Sequence, residues 1–480
     1  MLSAELIILT GGAVAAAFAV IGILARRGVA KNLDDYIIFR NRTGSLAATC
    51  SVVACLTGAW ILYSVPEAAA GYGVAAIVGY AIGQGLPMLL LVPVGARVRR
   101  EYPKGRSLSD YVEARFGRTA ALFVLGFMFL YMLVFLCAEM TAVGGAFNTV
   151  AGFPVWATAA AVMAFTLAYA VYGGLPSSIL TDVVQFLVIL PLLLLVLVAV
   201  FGGSVDRVDL TSAKSAQLFD FGSWSGIQFG IVLIIGVTAS NLFHQGFWQR
   251  IYSCTTEKVM KRSFGIAGVI TIVMIALAGV FGLLAGGAGM VGGKGQPAAA
   301  QSLFVLIKFI SPVFLIVVLV LALSLTMSSS DTLLNAMASI LMLRKAGQPH
   351  DEKKALKLAR SITALLGVLA VLVAALNISV LYLFLVVDLL AAATIVPVIA
   401  GLWWKRYGLM TLVASSLSGL VVGGLFFPGP DYVSLITASW WPGATLSSDT
   451  LFLLSFGLAL TVSTVVTLAG EKGYRKKVSG

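Results

Sequence analysis

Charge is what this sequence has least of: Asp, Glu, Lys and Arg make up 11% of its 480 residues, where a soluble domain carries about a quarter. Hydrophobic residues make up 60%. That is more apolar surface than a water-facing fold hides, so lipid is the expected solvent for much of it. Histidine and cysteine are scarce too. Two histidines and four cysteines (Cys50, Cys55, Cys137, Cys254) with no CxxC pair leave a structural zinc site unsupported. The first three cysteines lie in apolar runs and read as small hydrophobes. GxSxG, HExxH and the phosphate-binding GxxxxGKS/GxxxxGKT loop are absent, which argues against the enzyme chemistries they carry. ATP-driven transport would need a nucleotide-binding domain, and no loop is large enough to be one. The net charge is +12, but the basic residues sit in short loops between apolar runs. That pattern fixes membrane topology and argues against a nucleic-acid partner.

What is present is a series of apolar segments, each near the roughly 20 residues a helix needs to cross the hydrocarbon. Thirteen spans are predicted, at 3–25, 45–70, 74–96, 119–149, 154–172, 182–202, 227–248, 264–288, 303–342, 359–377, 379–404, 409–428 and 449–470. The 303–342 run is long enough to continue beyond the membrane. Basic residues concentrate in 26–42, 97–118, 250–262, 344–360, 405–406 and 472–477, against only Arg207, Lys214, Lys294 and Lys308 elsewhere. This asymmetry predicts an outer N-terminus, a cytoplasmic C-terminus and a multi-pass cell-membrane protein. The first apolar run has Arg26 and Arg27 after it and no basic stretch before it, so it reads as a retained helix and not a cleaved signal.

Polar groups inside spans are costly and mark cavities or partners. The second span holds Thr57, Gly58, Ala59 and Trp60, then Pro66 and Glu67. A break there would free carbonyls to face a cavity; close packing at Gly58 is the alternative. In the seventh span Asn241, His244, Gln245 and Trp248 recur at spacings of three and four, which puts them on one helical face. That face lines a cavity or meets another helix, and Trp248 also fits an interfacial anchor. The ninth span carries Ser328, Ser329 and Ser330, then Asp331 and Asn335. Hydroxyl and carbonyl oxygens suit a monovalent hard cation, since they bring no large negative charge of their own. Glu139 and Asp388 are further intramembrane carboxylates, able to take a proton or a cationic substrate.

Four segments resemble the sodium/solute symporter family, which includes proline, pantothenate, sodium/glucose and urea transporters. They are DDYIIFRNRTGS at 34–45, YGGLPSSILTDVVQ at 172–185, HQGFWQR at 244–250 and MSSSDTLL at 327–334, in the family's order. The likeness spans roughly residues 30–420, and LYLFLVVDLLAAATIVPV at 381–398 leans toward the urea-transporter branch. The resemblance implies an all-α membrane fold with an inverted-repeat core of five plus five helices. That core would span 45–404, between a first peripheral helix and loop at 1–44 and two peripheral helices with a tail at 405–480. It further implies a sodium site made by the carbonyls of Ala54, Thr57 and Leu325 and the hydroxyls of Ser328 and Ser329. Asp182 would assist ion release toward the cytoplasm. Where some amino-acid-carrying members have an acidic residue, this chain has Leu56.

The expected function is sodium-coupled symport of a small polar organic solute, such as urea, an amino acid or a carboxylate, with Na+ as the coupling ion. Candidate solute contacts are Thr57, Gly58, Trp60, Asn241, His244 and Gln245, beside broken backbone in the second and seventh spans. No obligate protein partner is expected. Rival classes are a proton-coupled transporter using Glu139, Asp331 or Asp388, a transporter-like solute sensor, and a passive channel.

Overall fold

In lipid a backbone must satisfy its own hydrogen bonds, so apolar runs of this length become helices. The computed structural model describes residues 4–25, 33–203, 212–308, 310, 312–343, 352–404, 406–436, 438 and 441–479. Arg26, Arg27, Lys31, Arg207, Arg344, Lys345 and Lys405, used above to read topology, lie outside the described residues. The helices in order are α1 (Ala4–Ala25), α2 (Leu33–Ile37), α3 (Ser45–Leu56), α4 (Ser64–Glu101), α5 (Leu108–Phe116), α6 (Arg118–Ala151), α7 (Val155–Gly203), α8 (Ala213–Leu218) and α9 (Trp224–Leu242). They continue as α10 (Gln245–Ser253), α11 (Glu257–Gly287), α12 (Ser302–Ile307), α13 (Pro312–Leu343), α14 (Glu352–Ala374), α15 (Val380–Ile399), α16 (Leu409–Phe426) and α17 (Ser448–Ser479). Among the described residues β pairing is limited to two isolated bridges, Thr43–Cys254 and Pro428–Ser434.

Ten of these stretches are long and apolar enough to cross a membrane, while Ser45–Leu56, Val155–Val171 and Arg360–Ala374 are apolar but shorter. The first is short because its span is broken after Leu56. The 303–342 run also differs from the expected single helix. It divides into α12 and α13, and Pro312 begins the second piece, where its missing N–H costs nothing.

Two long stretches change direction at one residue each: Gly73 in α4 (φ 78°) and Gly174 in α7 (φ 61°). Only glycine holds such a backbone cheaply. Both glycines fall between spans separated in the sequence reading.

The bundle is inside-out relative to a soluble protein. Met410 is 82% exposed, Leu9 70% and Val198 68%, apolar surface that fits a lipid surround. Buried within are Trp60, Trp248 and Arg250, each under 2% exposed. Small residues bring helices close: a Cβ on Gly79 of α4 would collide with Gly230 of α9.

Candidate substrate and cation site

The site begins where α3 ends. Thr57 is extended (φ −87°, ψ 109°), as is Gly58 (φ −114°, ψ −177°), and a 3-10 turn, Ala59–Leu62, leads into α4. The break leaves carbonyls that a continuous helix would have used. Val53 O accepts from Thr57 N at 2.9 Å, and Leu56 O accepts from Trp60 Nε1 at 3.2 Å. Among the described residues no backbone N–H donates to the carbonyls of Ala54, Cys55 or Thr57. The Ala59 N–H, freed from Cys55, donates instead to Glu139 Oε2 of α6 at 2.9 Å. Gly58 allows this close approach: a Cβ there would fall on the Glu139 carboxyl and displace it. The break is thus a wedge held by a carboxylate, and ordinary helix packing does not describe it.

Helix α13 packs against both α3 and the 59–62 turn. Ser328, Ser329 and Ser330 are wholly buried. Ser329 Oγ donates to Leu325 O at 3.0 Å and Ser328 Oγ to Asp182 Oδ1 at 2.7 Å. The Glu139 carboxyl faces Thr326 and Ser329. Glu139 Oε1, Thr326 Oγ1 and Ser330 Oγ are buried without a hydrogen-bond partner. Free carbonyls, serine hydroxyls and unsatisfied oxygens on adjoining elements form the donor set a hard monovalent cation takes, so the residues fit sodium.

A second break separates α9 from α10. The Asn241 amide donates to Val237 O at 2.9 Å, competing with the helix. His244 caps α10, its Nδ1 accepting from Gly246 N at 3.1 Å, and Trp248 Nε1 satisfies Leu242 O at 2.9 Å. Between the two breaks lies a small cavity bounded by Leu56, Trp60, Tyr80, Gln84, Tyr131, Phe135, Val237, Ser240, Asn241, Phe384 and Asp388. Its free space is about 10 Å³, about one water's worth. Tyr131 donates to Asn241 Oδ1 at 3.2 Å, and Asn241 Nδ2 to Gln84 Oε1 at 3.1 Å.

Beside α13 is a buried polar knot. Asp182 Oδ2 accepts from Arg250 Nη2 at 2.7 Å and from Ser51 at 2.5 Å. Arg250 also donates to Thr332 Oγ1 at 3.0 Å and Gly246 O at 3.1 Å. Asp331 accepts from Ser178 at 2.9 Å and Thr181 at 3.1 Å. The knot therefore ties α3, α7, α10 and α13 together.

Of the residues singled out from sequence, Leu56, Trp60, Asn241 and Asp388 line the cavity. Thr57 and Gly58 form the break, and His244 packs edge-on to Tyr131 and Phe135 at 5.9 and 5.8 Å. Gln245 turns away, donating to Arg106 O at 2.9 Å. The break at residues 243–244 interrupts the single helical face expected for Asn241 to Trp248, and Trp248 is a buried cap, not an interfacial anchor. Arg250, counted among cytoplasmic charges, is 0% exposed. The sequence reading missed Tyr80, Gln84, Tyr131, Phe135, Val237, Ser240 and Phe384; only Gln84 and Ser240, polar groups in apolar spans, carry a signal.

A membrane-embedded helix bundle with two interrupted helices around a small internal cavity is the architecture of a secondary solute transporter. This chain belongs to the sodium:solute symporter family, whose model matches residues 36–423. It is 26% identical over 445 residues to a spermidine transporter of Candida albicans, covering 91% of this chain and 83% of that protein. A urea–proton symporter of Oryza sativa subsp. japonica is 21% identical over 426 residues, covering 80% of this chain and 58% of that protein's length. A sodium-coupled sialic acid symporter, solved substrate-bound and outward-open, shares the fold with a TM-score of 0.72 at 18% identity, covering 96% of this chain and 98% of that one. These relatives are transporters, and the chain is a multi-pass membrane transporter, not an enzyme.

Proposed function

We propose that this protein couples the inward movement of sodium to uptake of a small polar organic solute by alternating access. The observation that carries the reading is the set of unpartnered carbonyls at Ala54 and Thr57 beside the buried hydroxyls of α13. Sodium sits between the α3 break and α13, held by the carbonyls of Ala54, Thr57 and Leu325 and the hydroxyls of Ser328 and Ser329. Its charge draws the two elements together and completes the wall of the solute cavity. Sodium and solute each favour the same state, so each raises the other's affinity. The membrane potential adds about 2.3 kcal/mol per charge per 100 mV. Asp182, bound to Ser328 and Arg250, receives the ion as the knot loosens toward the cytoplasm.

The reading assigns residues 45–404 to a core of five plus five helices, with 1–44 and 405–480 peripheral, giving thirteen spans, an outer N-terminus and a cytoplasmic C-terminus in the cell membrane. The two breaks, at 57–58 and 243–244, lie five spans apart and support that repeat. A proton-coupled version is favoured by one observation, the buried and unpartnered Glu139 Oε1. Uptake in proteoliposomes separates the two. A sodium gradient at equal pH drives accumulation under the first reading. Accumulation driven by a pH gradient in sodium-free potassium buffer replaces it with the second.

A further inference from the structure

The cavity's chemistry is unbalanced in a way that names a solute class. Asp388 of α15 is 3% exposed and bounds the cavity. Among the described residues no lysine, arginine or histidine pairs with it, and the cavity's bounding residues include no basic side chain. Asp182, by contrast, has Arg250, and Asp331 has three hydroxyls. The Ser240 hydroxyl faces Asp388, with the Tyr131 and Tyr80 side chains close by. The other polar groups are largely committed to one another through the Tyr131–Asn241–Gln84 chain. The remaining walls are aliphatic at Leu56 and Val237 and otherwise aromatic: Trp60 lies 5.8 Å from Tyr80, 5.5 Å from Phe384 and 6.4 Å from Phe135, centroid to centroid.

An anion would meet an ionised Asp388 with no basic side chain among the cavity's bounding residues to offset the repulsion. A bare metal ion would find oxygens on Asp388, Ser240 and the Tyr131–Asn241–Gln84 chain but ring faces over much of the remaining wall. A polyhydroxylated solute would find few free donors and acceptors. A positively charged nitrogen on a carbon chain meets each wall favourably, with the carboxylate as counter-ion and the ring faces as cation–π partners.

We propose that the solute is an alkylammonium compound, with its charged nitrogen seated against Asp388 and walled by Trp60, Tyr80, Phe135 and Phe384. This rests on the reading of the cavity as the solute site of a coupled carrier. Binding supplies the counter-charge that no described residue gives Asp388, and with Trp60 on the broken element, occupancy is felt directly at the proposed sodium site.

The test is uptake of radiolabelled 1,4-diaminobutane by the full chain in proteoliposomes, at equal pH on both faces, with butylammonium, butyramide or butyrate as competitor. Accumulation suppressed by butylammonium, and untouched by butyramide and butyrate, is expected. The Asp388→Asn protein should raise the KM for the diamine at least about tenfold, and Asp388→Glu should recover most of it. Detergent thermal unfolding reports whether each variant is folded. Competition by butyramide or butyrate equal to that of butylammonium, no uptake of the diamine, or an unchanged KM in Asp388→Asn overturns the proposal. The wild-type competition needs no variant to fold. Diamine uptake indifferent to sodium leaves the ammonium site standing and removes sodium coupling. Sodium-driven uptake of an uncharged solute that butylammonium does not inhibit does the reverse.

Discussion

Gly58 and Glu139 meet across the α3 break, and substituting either tests how the break is held. Gly58→Ala pushes a methyl group into the Glu139 carboxyl. Overpacking of this kind costs about 1–3 kcal/mol, so the variant should unfold at lower temperature and lose most uptake. Adding Glu139→Ala should restore part of the thermal stability. A double variant no more stable than Gly58→Ala alone would show that the carboxyl is not what the methyl strikes. The serines of α13 separate in another way. Ser329→Ala should raise the sodium concentration for half-maximal uptake about tenfold while shifting unfolding little, since one lost ligand is worth about 1–2 kcal/mol. Ser328→Ala should do the same and also loosen Asp182, to which its hydroxyl donates. A wild-type sodium response in both variants would contradict the ligand assignment. The serine run was legible because three hydroxyls beside a carboxylate are costly in lipid. The aromatic wall was not, since Tyr80, Phe135 and Phe384 look like any apolar membrane residues until the fold gathers them.

At the scale of elements, the Asp182–Arg250 pair joins broken α10 to α7, with Ser51 and Thr332 attaching α3 and α13. Both charges are 0% exposed, and removing one partner strands the other in low dielectric at a cost of about 3–5 kcal/mol. Arg250→Ala and Asp182→Ala should therefore each lower the unfolding temperature sharply. Their double variant should be less damaging than the two losses added together. Strict additivity would mean that the pair does not act as a unit. This knot was half-legible. Asp182 was placed by its motif, whereas Arg250 sits in a stretch whose basic residues read as interfacial. The distinction depends on α10 folding back into the bundle, which hydropathy does not report. Helical periodicity likewise ran Asn241 to Trp248 into one face, because a periodicity cannot see the turn at His244.

At the scale of the whole molecule, hydropathy and loop charge recover the membrane setting, and the apolar segments fall on helices, three of them too short or interrupted to be recognised by length alone. Glycine at 73 and 174 lets successive segments run on as kinked helices, a packing consequence that a segment map does not carry. The small cavity and the Asp182–Arg250 knot both border the broken elements α3 and α10, so under the proposed alternating access it is these that move against α13. The proposed coupling turns on a small cation bridging the α3 break and α13. The most direct measurement is calorimetric titration of sodium into the purified protein in potassium buffer without solute, repeated with Ser329→Ala. Saturable heat in the wild type that is lost or shifted about tenfold in the variant is the predicted result. No sodium binding, or identical binding in both proteins, would contradict the account.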